Sequence, residues 1–433
     1  MSQPEGYVLP PTARLRGTVL GIRDFRLLWI GQTVSSIGDQ IFPIAVALKV
    51  VHAGGSAGDL GVVLLGRSLA MVLFLVIGGV YADRISRTRV MIGSDVFRAI
   101  AVTALAMTPG EVPVWALAGL TFVVGGGEAF FRPAYGAILP SVVPEHRLAQ
   151  ANAFTSVSLK TSLILGPALG GFVVAVAGPG WALAIDAGTF LASMATLLRI
   201  AEPPLPARGP RQSGVREALD GVAEVRARPW IGAILGMATL QLMLAIAPYM
   251  VLLPFVARER LGGDGAYGAV LVAFAVGGLF GALVAGKWTP RLPGQWALVG
   301  LLPHAGLFLA MAYSRSVVVV AAWSFVCGVG LEPFQIWWSS ALQRDVPPDL
   351  LARVISLDWL VSLGLMPVGL ALAGPAADAF GREAVLLVAA GAMVVTTLAV
   401  LPVPGVREFR TPGNRVRERP PSEVASSPHD TRV

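Results

Sequence analysis

The feature that most constrains this chain is its punctuation. Apolar runs of about 20 residues, the length a helix needs to cross the hydrocarbon of a bilayer, alternate with short segments that carry most of the charge. Twelve such runs occur, at 26–50, 59–82, 89–109, 113–139, 152–177, 181–200, 229–256, 266–287, 295–313, 316–342, 352–377 and 382–402. Only 14% of the 433 residues are charged and 55% are apolar, against about 25% charged in an ordinary soluble domain. A water-soluble core of that make-up would leave large apolar surfaces wet, so the solvent for most of the chain is lipid. Gly and Pro recur inside the runs, as membrane helices tolerate and use for close packing. The expected fold is an all-α membrane protein with 12 transmembrane helices.

The basic residues sort by side. Arg14, Arg16, Arg23 and Arg26, then Arg84, Arg87 and Arg89, the middle loop and the tail fall on the side of the termini. The opposite side holds Lys49, Arg258, Arg260, Arg315 and Arg382. Positive loops stay inside, so both termini are expected in the cytoplasm and the chain in the inner (plasma) membrane. Residues 1–22 are polar and Pro-rich without a cleavage pattern, so no cleaved signal is expected. The net charge of +7 is scattered between spans with no groove-reading module, which argues against nucleic acid as a partner. Cys327, the single cysteine, excludes an internal disulfide and a cysteine metal cluster. No histidine stands at a metal-ligand spacing, so no metal and no cofactor is implied.

A leader (1–25) precedes a six-helix bundle (26–200), a linker (201–228), a second six-helix bundle (229–402) and a polar tail (403–433) expected to be disordered. In the linker Val215, Leu219, Val222 and Val225 share one helical face, and Glu224 and Arg228 stand at i,i+4, which suggests an amphipathic helix on the inner membrane surface. A shift of 203 residues superposes Gly78 on Gly281, Gly125 on Gly328, Gly166 on Gly369, and "VPEHRLA" from Val143 on "VPPDLLA" from Val346. That offset suggests duplication of a six-helix unit, hence two pseudo-symmetric bundles with a site between them, a transporter architecture.

The turn after the second run reads Gly79-x-x-x-Asp83-Arg84-x-x-Arg87-x-Arg89 and resembles the signature turn of the major facilitator superfamily, a resemblance covering about 25–402. The resemblance implies that Gly79 lets helix 2 approach the other half, and that Asp83 meets the inner end of helix 11 and is neutralised by Arg87 or Arg89, with Arg84 part of the same gate. "LILGPALGG", Leu163 to Gly171, resembles the antiporter pattern of that superfamily, in which Gly166, Pro167, Gly170 and Gly171 shape helix 5. "FRLLWIGQTVSSIGDQ", "DVFRA" and "AFFRPAYGAILPSVVPEHRLAQANA" are similar to the drug:proton antiporter branch that includes macrolide-efflux and enterobactin-exporter-like proteins.

Charges at membrane depth are the candidate chemistry, since each costs about 2.5–3.5 kcal/mol at the bilayer centre unless paired or wet. Asp39, Glu128 and Glu332 fall near mid-depth of helices 1, 4 and 10, helices that line the central cavity in the superfamily fold. A carboxyl in a poorly hydrated cavity binds protons more readily than in water, so these three are the candidate proton-coupling acids. Arg132, one turn after Glu128, forms with it either a coupling site or a structural ion pair. Asp95 and Arg98 read as lying near the inner end of helix 3, and Asp186, Lys160, Arg67 and Asp358 as off-centre residues that snorkel or pair between helices. Arg132, Tyr135, Gln241, Tyr249, Phe334, Gln335 and Trp338 are candidate walls of a substrate cavity. The expected function is export of amphiphilic small molecules (a drug, siderophore or natural product) in exchange for protons by a monomer. Import or uniport of a sugar- or lipid-like solute is the alternative. No acid, histidine or metal cluster suggests an enzyme.

Overall fold

In a computed structural model, residues 18–108, 112–202, 222–288 and 290–411 are described. The amino-terminal half contains α1 (Arg23–His52), α2 (Ala57–Arg84), α3 (Arg87–Met107), α4 (Val114–Val142), α5 (Leu148–Ala177) and α6 (Pro179–Leu197). The carboxy-terminal half contains α7 (Pro229–Arg260), α8 (Asp264–Lys287), α9 (Pro293–Tyr313) and α10 (Val317–Asp345). It ends with α11, in two pieces (Pro348–Gly364 and Met366–Phe380), and α12 (Arg382–Val400). Among the described residues, eleven helices are long and apolar enough to cross a membrane unaided, and the jointed α11 brings the bundles to six helices each. No strand occurs among the described residues. In lipid no water satisfies a bare backbone, so helices that pair their own N–H and C=O groups are the solution left to this composition.

The outward faces fit that solvent. Phe97, Ile100, Phe172 and Val388 are exposed, as apolar groups facing lipid must be. Trp115 and Trp181 are exposed at the first turns of α4 and α6, the level where indoles prefer the membrane interface. Both described ends of the chain emerge on one side, called here the near end.

The repeat is real, but a single offset does not describe it. Thr121 donates to the Val63 carbonyl at 2.6 Å, and Ser324, 203 residues later, donates to Val270 at 2.8 Å. Val270 lies one helical turn beyond the residue that the same shift assigns to Val63. Likewise Gly78 packs on Ala129 while Gly281 packs on Val329, so these two glycines are not equivalent. The cause is a loop: the connection from Met107 to Val114 is longer than that from Tyr313 to Val317. The shift of 203 therefore holds for α4–α6 against α10–α12. There Gly178 and Gly381, both at φ +86, make the same tight turn, a left-handed conformation that glycine adopts without strain.

The linker is described at its two ends, 201–202 and 222–228. Residues 222–226 are helical, and Glu224 pairs with Arg228, while residues 203–221, with Val215 and Leu219, lie outside the described residues. The tail differs from a disordered one at its start. Residues 403–411 fold back as turns, and Phe409 is fully buried among Trp230, Phe334 and Trp338. An aromatic side chain with such a box to fill does not remain in water.

At the far end the bundles meet through glycine. A Cβ on Gly374 of α11 would stand 2.2 Å from Cα of Gly58 on α2. One on Gly171 of α5 would stand 3.1 Å from Cα of Gly268 on α8. His52 at the end of α1 reaches Asp264 at the start of α8, 2.6 Å away. Gly166 and Gly170, from the helix 5 pattern, seat α5 on Gln40 and Ile41 of α1. The pattern thus fastens α5 both to its own bundle and, through Gly171, to the opposite one.

Candidate functional site

The amino-terminal bundle holds a chain of buried charge. Arg98 of α3 donates to Asp39 of α1 at 3.2 Å and to Asp95 at 2.5 Å, and its guanidinium lies over the rings of Phe131 (4.5 Å) and Phe190 (4.3 Å). Arg98 is 1% exposed and Asp95 and Asp186 are each 0% exposed, whereas the Asp39 side chain is 37% exposed. Beside this set, Glu128 of α4 accepts from Arg67 of α2 at 2.9 Å and from Arg132 at 2.5 Å. Arg67 also lies over Phe42. A buried charge costs several kcal/mol unless it is paired and hydrogen-bonded, and most of these groups meet that condition by pairing between helices.

Three sequence expectations change here. Asp95 and Arg98 do not lie at the inner end: they are fully buried, and Arg98 joins Asp95 to Asp39. Asp186 neither snorkels nor sits at an edge, for its carboxylate is sealed between helices and both oxygens lack a hydrogen-bond partner. Tyr135 stacks on Phe131, 6.3 Å between ring centres, inside the amino-terminal bundle, and with Arg132 it lines neither of the two cavities described next.

The carboxy-terminal bundle encloses a cavity of about 500 Å³. Gln241, Tyr249, Phe334, Gln335 and Trp338, all anticipated from sequence, line it together with His304 and Asp358. Its wall is mostly apolar, aliphatic side chains interleaved with rings and three methionines, with a few polar groups. Trp338 Nε1 donates to Asp358 at 3.1 Å, and the Gln241 amide donates to Thr396 and Thr397 at 3.0 and 2.9 Å, which leaves its carbonyl oxygen as an acceptor. His304 Nδ1 lies 3.0 Å from the Leu301 carbonyl. A carbonyl only accepts, so Nδ1 carries the hydrogen and Nε2 is the ring acceptor. Between Gln241 and Tyr249 the helix widens into a π turn, Leu242–Ile246, where Pro248 cannot supply the regular backbone bond. Such widened turns cluster at functional sites.

A second cavity of about 270 Å³ lies in the cleft between bundles. It shares Tyr249, Met250, Leu271, Phe274 and Leu331 with the first, and Pro167 of the helix 5 pattern also faces it. Across it Lys160 of α5 donates to Glu332 of α10 at 2.5 Å. This pair joins the two bundles, and it lies about 16 Å to the near side of the Gly171–Gly268 contact at 1.5 Å per helical residue.

At the signature turn, Gly79, Asp83 and Arg84 lie outside the residues whose side chains are described, so their expected meeting with α11 is not visible. Arg89 is exposed, and Arg87 is buried with its Nε unpartnered. The carboxylate that holds the start of α3 is Glu202, beyond the end of α6. It accepts from Ser86 Oγ (2.6 Å), Arg87 N (2.8 Å), Thr88 N (3.0 Å) and Thr88 Oγ1 (2.7 Å). Burial opposes its charge, but the hydrogen bonds from Ser86, Thr88 and Arg87 outweigh that and hold the carboxyl below the ordinary glutamate value. A depressed folded value stabilises the fold above the unfolded value of about 4.3, and that contribution is lost as pH falls through the folded value. Glu202→Ala is expected to cost about 0.5–2 kcal/mol, as for a lost helix cap, read as a lower melting temperature in detergent. Glu202→Gln is expected to flatten the acid limb of the melting temperature against pH, and an unchanged limb would remove Glu202 from that role.

The sequence profile of the transmembrane secretion effector family matches residues 18–426. Macrolide efflux protein A of Streptococcus pyogenes is 28% identical over 408 residues, 89% of this chain and 96% of that protein. The multidrug efflux pump Tap of Mycolicibacterium fortuitum is 28% identical over 406 residues, 88% and 96% of the respective chains. Among solved structures, the nucleoside transporter NupG superposes with a TM-score of 0.67 at 15% identity, covering 87% of this chain and 98% of its own. A variant of the peptide transporter POT in complex with alafosfalin gives 0.72 at 14%, covering 93% and 100%. Those two establish the fold, and the profile and full-length relatives place the chain among membrane efflux transporters rather than enzymes. The chain belongs to the transmembrane secretion effector family of the major facilitator superfamily.

Proposed function

We propose that this protein exports amphiphilic, ring-bearing small molecules across the cell membrane in exchange for protons, by alternating access of its two bundles. The observation that carries the reading is a division of labour. The aromatic cavity lies in the carboxy-terminal bundle, the acid–arginine network with its partly exposed Asp39 lies in the amino-terminal bundle, and Lys160–Glu332 spans the cleft between them. Protonation of Asp39 would loosen its hold on Arg98, and a cationic cargo would compete with Lys160 for Glu332. The second exchange changes what keeps the halves apposed, and the first changes how α1 and α3 pack within one half. With the termini in the cytoplasm, as the distribution of arginine supports, the glycine seal closes the outer face, and this conformation loads cargo from inside.

Uptake into everted membrane vesicles tests the reading, with erythromycin as first cargo because two of the relatives are named for macrolide efflux and multidrug efflux. Acidifying the vesicle interior is expected to drive uptake, and no response to the gradient would contradict proton exchange. Glu332→Gln is expected to lower uptake of ethidium about tenfold relative to a neutral dye of similar size, the loss of a charge-assisted contact worth roughly 1.5–3 kcal/mol. Equal effects on both dyes would show that Glu332 does not select for charge.

A further inference from the structure

Asp186 is the one acid of the amino-terminal network with both carboxyl oxygens buried and without a hydrogen-bond partner. It lies on α6, which packs against α1, α3 and α5. Asp39 faces it from α1 and Arg98 from α3, with Arg67 of α2 the next cation, while Asp95 is held by Arg98. Lys160 on α5 is engaged with Glu332 across the cleft. Asp186 Oδ1 rests over Gly38, where a Cβ would come within 2.5 Å of it, so the residue just before Asp39 is cut away to admit this carboxyl.

The charges do not balance if every acid is ionised. Asp39, Asp95, Glu128 and Asp186 are four carboxyls, and Arg67, Arg98 and Arg132 are three guanidiniums, each of which reaches an acid other than Asp186. Arg132 is also half exposed, which weakens what it contributes to the interior. An ionised carboxylate with no partner in such a site is far costlier than a neutral one, and the group takes up a proton instead. The Thr189 hydroxyl, which the same missing Cβ on Gly38 would touch at 2.3 Å, spends its hydrogen on the Asp186 main-chain carbonyl at 2.7 Å. Its one hydrogen is thus engaged with the main chain, and the hydroxyl is the polar group that lies beside the carboxyl.

We propose that Asp186 is a proton-binding site: in this conformation its carboxyl holds a proton, and Asp39, partly exposed on the neighbouring helix, is the route by which that proton exchanges with water. The second clause rests on the proton-exchange reading, and the first does not. In the transfer an O–H bond on Asp186 breaks and one forms on Asp39, so charge moves between the two acids with no other reactant.

Infrared difference spectroscopy of the purified full-length protein at neutral pH tests the site without any cargo. Wild type is expected to show the carbonyl stretch of a buried, protonated carboxylic acid. That band is expected to be lost in Asp186→Asn and displaced in frequency in Asp186→Glu, the variant that retains the acid if the amide disturbs folding. A band that survives unmoved in both variants, or that is missing from wild type, would overturn the assignment. Because no gradient or cargo enters the measurement, failure of proton-driven export and failure of Asp186 give different results.

Discussion

Arg98→Ala is expected to destabilise the amino-terminal bundle by about 3–5 kcal/mol, the range found when one partner of a buried ion pair is removed. Arg98 binds Asp39 and Asp95 at once, so its loss leaves two acids facing each other without a cation and empties the space between Phe131 and Phe190. The thermal unfolding midpoint in detergent reads the effect. Lysine keeps the charge but has neither the fork that spans two carboxylates nor the flat face that stacks on rings. Arg98→Lys is therefore expected to recover only part of the loss. A triple replacement with Asp39→Asn, Asp95→Asn and Arg98→Met is expected to approach wild-type stability, because a buried ionic cluster is worth little against an uncharged one of similar volume. Its pH-driven export is expected to be absent. An Arg98→Ala variant that melts like wild type would mean the network does not hold the bundle together.

Gly374→Val is expected to stop the far end from closing. The first added carbon would fall 2.2 Å from Cα of Gly58 and 2.3 Å from its nitrogen, backbone atoms with no rotamer to turn aside. Overpacking costs about 1–3 kcal/mol, which shifts a two-state balance by roughly 5–150-fold, here toward separated far ends, the outer ones in the orientation proposed above. A cysteine in place of Ser56, beside the contact, should then react faster with a membrane-impermeant maleimide added from outside, and export should fall. Gly236→Val is the control, since a Cβ there meets nothing within 4 Å. Unchanged labelling in Gly374→Val with export intact would show that the glycine contact is not a gate.

The spans and the two bundles were legible because lipid leaves a plain record: length, apolarity and the placement of arginine. Position along each helix is legible too, so Asp39, Glu128 and Glu332 stand out in the sequence, as does the Glu128–Arg132 pair, set by one helical turn. Azimuth is not. Nothing in a single chain states that Arg98 turns toward Asp39, that Arg67 adds a second cation to Glu128, or that Lys160 crosses the cleft to Glu332. Each of those pairs is made between helices whose rotation packing decides. The setting of Asp186 is hidden for the same reason, since its position along α6 looks unremarkable and only the neighbours α1 and α3 make it a sealed acid. Five of the seven wall candidates line the aromatic cavity because they stand on the inward stripes of α7 and α10. Tyr135 and Arg132, on α4, were chosen by residue type. The repeat offset went wrong at a loop, where a shortening between α9 and α10 moved one half of the unit by a turn without disturbing the other.

The central claim is tested most directly by purified protein in liposomes, with the membrane potential clamped and only a pH gradient imposed, measuring erythromycin flux in wild type and in Asp39→Asn. Flux up the cargo gradient that follows the proton gradient in wild type, with a variant that exchanges cargo passively but ignores the gradient, is the predicted result. Wild-type flux indifferent to pH, or a variant that still follows the gradient, would contradict it.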